Sequence, residues 1–244
     1  MSSSGGEQQR LYRGRTRAQV AGAIDHSVLK PTSLSAEVTA AAATAEREQN
    51  ASLCIRPIDV AVAAPLLSSS RVPLCTVVGF PHGTTTTAVK VFETLEALRA
   101  GCKEVDMVIN QSAMAQGDYQ AVADDIRAVC EAAHSHRPDA VVKVIFETCA
   151  LASHDELRKC CELAEAAGAD FVKTSTGFGS AGATVEHVGI MRAAVGDRLK
   201  VKASGGIRTL DQLCDLLDAG ADRCGCSATE SILKEFDERA SAVC

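Results

Sequence analysis

Two kinds of stretch alternate along the chain. Short runs dense in Val, Ile, Leu and Cys, at 23–29, 51–55, 74–79, 104–109, 141–146, 171–173, 200–203 and 223–226, have the length and composition of buried strands. Between them lie longer, Ala-rich segments with apolar residues at helical spacing, at 35–49, 86–100, 119–133, 154–167, 185–194, 210–219 and 230–239. Residues that cap helices stand where several of these segments begin, as Ser153 does before Asp155 and Glu156. Glycines stand where they end, as Gly168 and Gly220 do. The second unit reads least clearly, because Pro57 and Pro65 interrupt its helical pattern.

Strand then helix, repeated eight times without a long linker or a shift in composition, predicts an α/β fold: a single-domain (β/α)₈ barrel over 21–244, after a polar leader over 1–20. A doubly wound open sheet shares this alternation, and periodicity alone does not separate the two. The 244 residues include 46% hydrophobic and 23% charged residues, enough for a core, but only 3% aromatics and no Trp, so that core is built from Ala, Val, Leu and Ile. Net charge is -6 and no run of five basic residues occurs, which argues against nucleic-acid and acidic-membrane partners. The charge of an anionic substrate must therefore be met locally. No apolar stretch approaches the ~18 residues that span a bilayer, and the first residues lack the apolar core of a signal peptide, so a cytoplasmic protein is expected. The 11 cysteines include no CxxC and read as reduced, mostly buried small hydrophobes. Oligomeric state has no signature in the sequence, and a homodimer is left open.

The candidate chemistry begins with two lysines. Lys173 and Lys202 each close an apolar run and are followed by small residues and glycine. Burial disfavours an ammonium and a second ammonium nearby disfavours it further, so one lysine can be driven towards the neutral amine that attacks carbonyls. The alternative, two strand-end lysines reaching to the surface, stays open on spacing alone. On the run Glu104 to Asn110, Asp106 shares a face with Val108 and Asn110. If that face is inward, the carboxylate needs a cation, which inward lysines would supply. By the same alternation Asp25 pairs with Ser27, and Lys143 with Glu147. The last three units carry glycine-rich turns containing Gly177, Gly205 with Gly206, and Gly225. Arg208 and Ser227 stand by as donors, which suits a phosphate held by backbone amides and helix N-termini after the seventh and eighth strands. His134 and His136 form an HxH that reads as a surface loop, and no ligand set, P-loop or dinucleotide fingerprint supports a metal or another cofactor.

These segments resemble the deoxyribose-phosphate aldolases, class I aldolases of the (β/α)₈ fold, from about residue 22 to 230. The matching stretches are Ile24 to Pro31, Val77 to Gly83, Glu104 to Asn110, Val142 to Thr148, Phe171 to Phe178 and Val201 to Arg208. The resemblance implies reversible cleavage of 2-deoxy-D-ribose 5-phosphate into acetaldehyde and D-glyceraldehyde 3-phosphate, with small sugar phosphates and aldehydes as partners. It assigns Lys173 to the Schiff base, Lys202 to perturbing it and Asp106 to the proton relay. Gly177, Gly205, Gly206, Arg208, Gly225 and Ser227 match the phosphate cradle, Asp25 and Ser27 polar residues near the substrate, and Cys54 a pocket cysteine; Lys143 joins the substrate set. Two departures stand out. Ala228 replaces a serine common among relatives, and the chain ends at Cys244 without the tyrosine-bearing tail that some of them fold over the substrate. Other Schiff-base or sugar-phosphate enzymes on this barrel, such as a keto-acid aldolase or an isomerase, and a non-catalytic phosphate-binding relative are the competing readings.

Overall fold

The computed structural model describes residues 10–242. Residues 1–9 of the expected leader, and residues 243–244, on which the question of the C-terminal tail turns, lie outside the described residues. From residue 10 the leader has structure. Arg10–Leu11 (β1) pairs antiparallel with Ser241–Ala242 (β10), and helix α1 (Arg17–Gly22) starts at a capping box between Thr16 and Gln19. Arg17 ties α1 to Glu48 at 2.6 Å and Asp237 at 2.9 Å. Only Val20 and Ala21 of α1 are buried, so caps and ion pairs hold this segment, and it left no apolar period in the sequence.

Eight parallel strands then close into a barrel in chain order: β2 (Ile24–Val28), β3 (Ser52–Ile55), β4 (Leu74–Val78), β5 (Glu104–Val108), β6 (Val141–Ile145), β7 (Phe171–Lys173), β8 (Lys200–Ser204) and β9 (Arg223–Cys226), with β9 pairing back onto β2. The closed ring decides against the doubly wound sheet. Helices α2 (Ser35–Glu48), α3 (Val60–Leu66), α4 (Thr87–Arg99), α5 (Gln111–Ala115), α6 (Tyr119–His136), α7 (His154–Ala166), α8 (Val185–Val195), α9 (Leu210–Asp218) and α10 (Thr229–Arg239) fill the connections. In the second unit Pro57 opens a 3₁₀ turn, Pro57–Asp59, that runs into the short α3, with Pro65 in its last turn. A short helix is what the two prolines allow. His134 and His136 sit in the last turn of α6, not in a loop, and His134 meets Asp170 at 3.1 Å.

The apolar core is the layer between sheet and helices. Outward-facing strand residues such as Ile24, Leu53, Leu74, Val105, Met107, Val142, Val144, Val172 and Val201 pack there with Ala, Val and Leu of the helices. Inside the ring the picture reverses. Asp25, Glu104, Asp106, Lys143, Lys173 and Lys202 are all buried, with Cys54, Cys75, Val77 and Phe171 among the apolar groups beside them. A second buried pair, Lys90 with Asp125 at 2.5 Å, joins α4 to α6, and Lys90 Nζ also donates to the Val108 carbonyl at 2.8 Å, anchoring the end of β5.

Candidate active site

Strand register brings the charged residues together. Asp106 on β5 lies beside Lys143 on β6, and Lys173 on β7 beside Lys202 on β8. The three lysines point at one carboxylate. Lys173 and Lys202 donate to Asp106 Oδ2 at 2.6 and 2.7 Å, Lys143 donates to Oδ1 at 2.9 Å, and the Cys75 thiol adds a contact at 3.2 Å. Burial by itself would raise the Asp106 carboxyl, but the three ammonium groups outweigh it and hold the group well below the usual carboxylate range. Asp25 follows the same balance: burial raises it, Lys202, Lys143 and Arg223 lower it more, and it stays ionised. Lys202 is the mirror case. Burial disfavours its charge, yet Asp106 and Asp25 hold it above the ordinary lysine range, so it is a standing cation beside Lys173. Asp25 Oδ2 meets Lys202 at 2.5 Å as an ion pair without hydrogen-bond directionality.

A cleft of about 820 Å³ opens above this cluster at the C-terminal ends of the strands. Lys173 and Lys202 reach its floor, and Ser27, Cys54, Gly177, Gly205, Gly206, Arg208, Gly225 and Ser227 line it. Asp106 lies just beneath, in contact with both lysines but not on the wall. Asp25 and Lys143, expected near the substrate, do not line the cleft. They lie under the floor in an ion network with Glu104 and Arg223, because inward-facing positions earlier on a strand lie below those at its C-terminal end. The expected pairing of Lys143 with Glu147 fails for a related reason. Glu147 lies beyond the end of β6 with φ 54°, and its carboxylate turns to the Thr176 hydroxyl.

The anion end of the cleft is built unevenly. At α9 the amides are already used: Thr209 and Gln212 form a capping box, and Gln212 also accepts from the Arg208 N–H at 2.9 Å. At α10 the N-cap is Ala228, which offers no side-chain acceptor, so the first N–H groups of that helix face the cleft beside Ser227 without a side-chain cap. Uncapped N–H groups at that point suit an anion. The glycines serve two purposes. Gly205, at φ 88°, crosses the backbone of Gly182, where a Cβ would come within 2.9 Å of the Gly182 Cα. This glycine serves loop packing before any ligand. A Cβ on Gly225 would meet Lys202 Cε at 3.1 Å, so Gly225 makes room for the lysine stem. Gly206, at φ 80°, has open space where its Cβ would stand.

Several lining residues had no motif to announce them. Phe178 stacks edge-on against Phe80, ring centroids 5.3 Å apart, and His26 donates to or accepts from Thr229 Oγ1 at 2.7 Å, with its imidazole pushed down to about 4 by burial. Glu104 and Arg223 were legible in principle, since they stand two residues before Asp106 and Gly225 and so share their inward faces. Cys54, Cys75 and Asp106 place three ligand-type atoms within 4.8 Å of one another, the one such group found among the described residues. Three lysine ammonium groups already occupy the Asp106 oxygens, an environment that opposes a dication.

Comparison with known proteins gives a consistent answer. The family model described as DeoC/LacD family aldolase matches residues 19–228. A deoxyribose-phosphate aldolase of Carboxydothermus hydrogenoformans is 47% identical over 216 residues, covering 88% of this chain and 94% of its own. One from Streptococcus equi subsp. zooepidemicus is 49% identical over 211 residues, covering 86% and 94%. Among solved structures, the tetrameric deoxyribose phosphate aldolase from Aeropyrum pernix superposes with a TM-score of 0.85 at 30% identity, over 91% of this chain and 92% of that one.

Proposed function

The chain belongs to the DeoC/LacD family of aldolases, and on that premise we propose that it reversibly cleaves 2-deoxy-D-ribose 5-phosphate into acetaldehyde and D-glyceraldehyde 3-phosphate, with Lys173 as the nucleophile. The observation that carries this reading is Lys173 at the cleft floor, 2.6 Å from Asp106, with the Lys202 cation on the same carboxylate oxygen.

Lys173, as the free amine, adds to C1 of the open-chain sugar, and loss of water leaves an iminium. The cationic nitrogen is the electron sink when the C2–C3 bond breaks. The C3 hydroxyl gives up its proton, C3 becomes the aldehyde of D-glyceraldehyde 3-phosphate, and the bond's electron pair remains as an enamine on C1 and C2. Protonation at C2 and addition of water to the iminium release acetaldehyde and the amine. Asp106, held ionised by its lysines, takes and returns protons through a water. Gly177, Gly205, Gly206, Gly225, Ser227 and Arg208, with the open N-terminus of α10, hold the phosphate and supply binding remote from the breaking bond. Ser27 and Cys54 line the cleft nearer the floor residue Lys173.

Borohydride reduction in the presence of acetaldehyde, followed by peptide mass mapping, tests the reading. A two-carbon adduct on Lys173, absent from Lys173→Ala, is the expected result. An adduct on Lys202 instead, or none on either lysine, would overturn it.

Ten free cysteines among the described residues, nine of them buried, suit a reducing compartment, and we place the protein in the cytoplasm. We also infer a homodimer or larger assembly of this chain. Ile58, Val62 and Leu66 stand exposed, Ile58 at 81%, along one side of the 3₁₀ turn and α3, as an apolar row suited to a second copy.

A further inference from the structure

The ionisable groups clustered at and beneath the cleft floor do not balance. Lys143, Lys173, Lys202 and Arg223 bring four positive charges, and Asp25, Glu104 and Asp106 bring three negative ones. Other polar groups also face this space. Burial pushes the Cys75 thiol up and keeps His26 neutral near pH 7, the Cys54 thiol, 4.0 Å from Asp106, is drawn below its ordinary value by its hydrogen bond with Cys75, and the exposed Lys200 lies 5.6 Å from the ring of Phe171 at the barrel's lower end. An unbalanced charge in a buried site is costly, and the imbalance disappears when one cation gives up its proton. Arg223 cannot do so. Lys143 has carboxylates at 2.6, 2.9 and 3.9 Å, and Lys202 has them at 2.5 and 2.7 Å. Lys173 touches Asp106 alone and borders the cleft, so fewer carboxylates hold it than hold the other two lysines.

Two members of this set stand away from the chemistry. Glu104 and Arg223 open β5 and β9, at the end of the barrel opposite the cleft, and neither lines it. They meet each other at 2.9 Å, Glu104 reaches Lys143 at 2.6 Å, and Arg223 reaches Asp25 at 3.1 Å, with its guanidinium 5.0 Å from the centre of the Phe171 ring. We propose that Glu104 and Arg223 are positioning residues that set the charge balance of this cluster and thereby make Lys173 the amine that is neutral when the carbonyl arrives. The inference rests on the Schiff-base reading. It also accounts for an arginine and a glutamate inside a barrel end where apolar side chains would pack equally well.

The signs are opposite for the two residues. Glu104→Gln removes a negative charge, so the core favours the neutral Lys173 more strongly, and the rising limb of kcat/KM against pH moves to lower pH. Arg223→Gln removes a positive charge, the core balances with Lys173 protonated, and the limb moves to higher pH. A unit charge near 10 Å at an effective dielectric constant of about 20 moves a titration by roughly one pH unit, which is the expected size of each shift. Arg223→Lys keeps the charge and is expected to keep the midpoint. The double variant Glu104→Gln/Arg223→Gln loses one charge of each sign, so its midpoint is expected within a few tenths of a unit of the parent's. Shifts of the same sign in the two single variants, lower rates with fixed midpoints in both, or a double variant displaced from the parent would overturn the inference; should one single variant fail to fold, the direction of the other's shift, set against the return of the double variant to the parent midpoint, decides. If the parent enzyme traps no adduct on Lys173, the Schiff-base reading itself fails. If it traps the adduct and the midpoints stay put, only the role of Glu104 and Arg223 fails.

Discussion

At neutral pH His26 is uncharged, because burial beside Thr229 holds its imidazole down at about 4 against an ordinary 6.5. The unfolded chain therefore binds a proton on this residue between about 6.5 and 4 that the folded chain refuses, and stability rises with pH across that window. His26 contributes fully at pH 7, loses its contribution as pH falls below about 6.5, and loses no more below about 4, for a total near 3 kcal/mol. Asp25 and Asp106 act lower on the scale: both are depressed from 3.8, so their contribution is present above that value and disappears only on further acidification. Denaturant unfolding of His26→Asn between pH 7 and pH 4 is expected to show a flatter dependence than the parent. An identical slope in both proteins would mean that the ring accepts its proton without cost. His26 stands in the sequence among histidines without a common motif, and it is burial that sets its charge.

Among the elements, α9 and α10 differ at their N-termini although both follow glycine-bearing strand ends. A capping box satisfies α9, and Ala228 leaves α10 uncapped. Ala228→Asp is expected to separate stability from binding. The new carboxylate caps α10 and stabilises the fold by about 1 kcal/mol, while it repels the phosphate and raises KM for deoxyribose 5-phosphate about tenfold or more, leaving KM for unphosphorylated deoxyribose nearly unchanged. Equal losses on both sugars would move the phosphate site elsewhere. The run-and-segment pattern located most of these elements to within a residue or two, β7 and β9 with no discrepancy. Helix α1, the short α5 and the β1–β10 pair escaped it, since caps, side-chain ion pairs or two residues of backbone pairing carry no period. The glycines were visible as turns, but that Gly205 serves a crossing with Gly182, and Gly225 the stem of Lys202, depends on contacts between units.

For the molecule as a whole, the exposed row of Ile58, Val62 and Leu66 carries the assembly prediction. Ile58→Glu places a charge on a side chain that touches little within the chain, so the folded protomer is expected to survive while sedimentation shows a smaller species than the parent. A parent that sediments as a monomer at micromolar concentration would remove the need for any partner on that face.

The amino-acid sequence by itself determined the count and order of the barrel units, the absence of basic runs, and the two lysines with their glycine-rich turns. All of these are local patterns, set by residues close together in the chain. What only the tertiary structure decided is where the charges meet. Asp106 and Lys202 are 96 residues apart and lie at 2.7 Å, and Arg223 and Glu104 are 119 apart and lie at 2.9 Å. The tilt and register of eight strands put these pairs at one level of the barrel, and the same register puts Asp25 and Lys143, expected near the substrate, beneath the cleft floor. Alternation along a strand tells which residues face inward. Only closure of the ring tells which of them touch, because the energy that fixes the register comes from the apolar layer outside the sheet, not from the charges inside it.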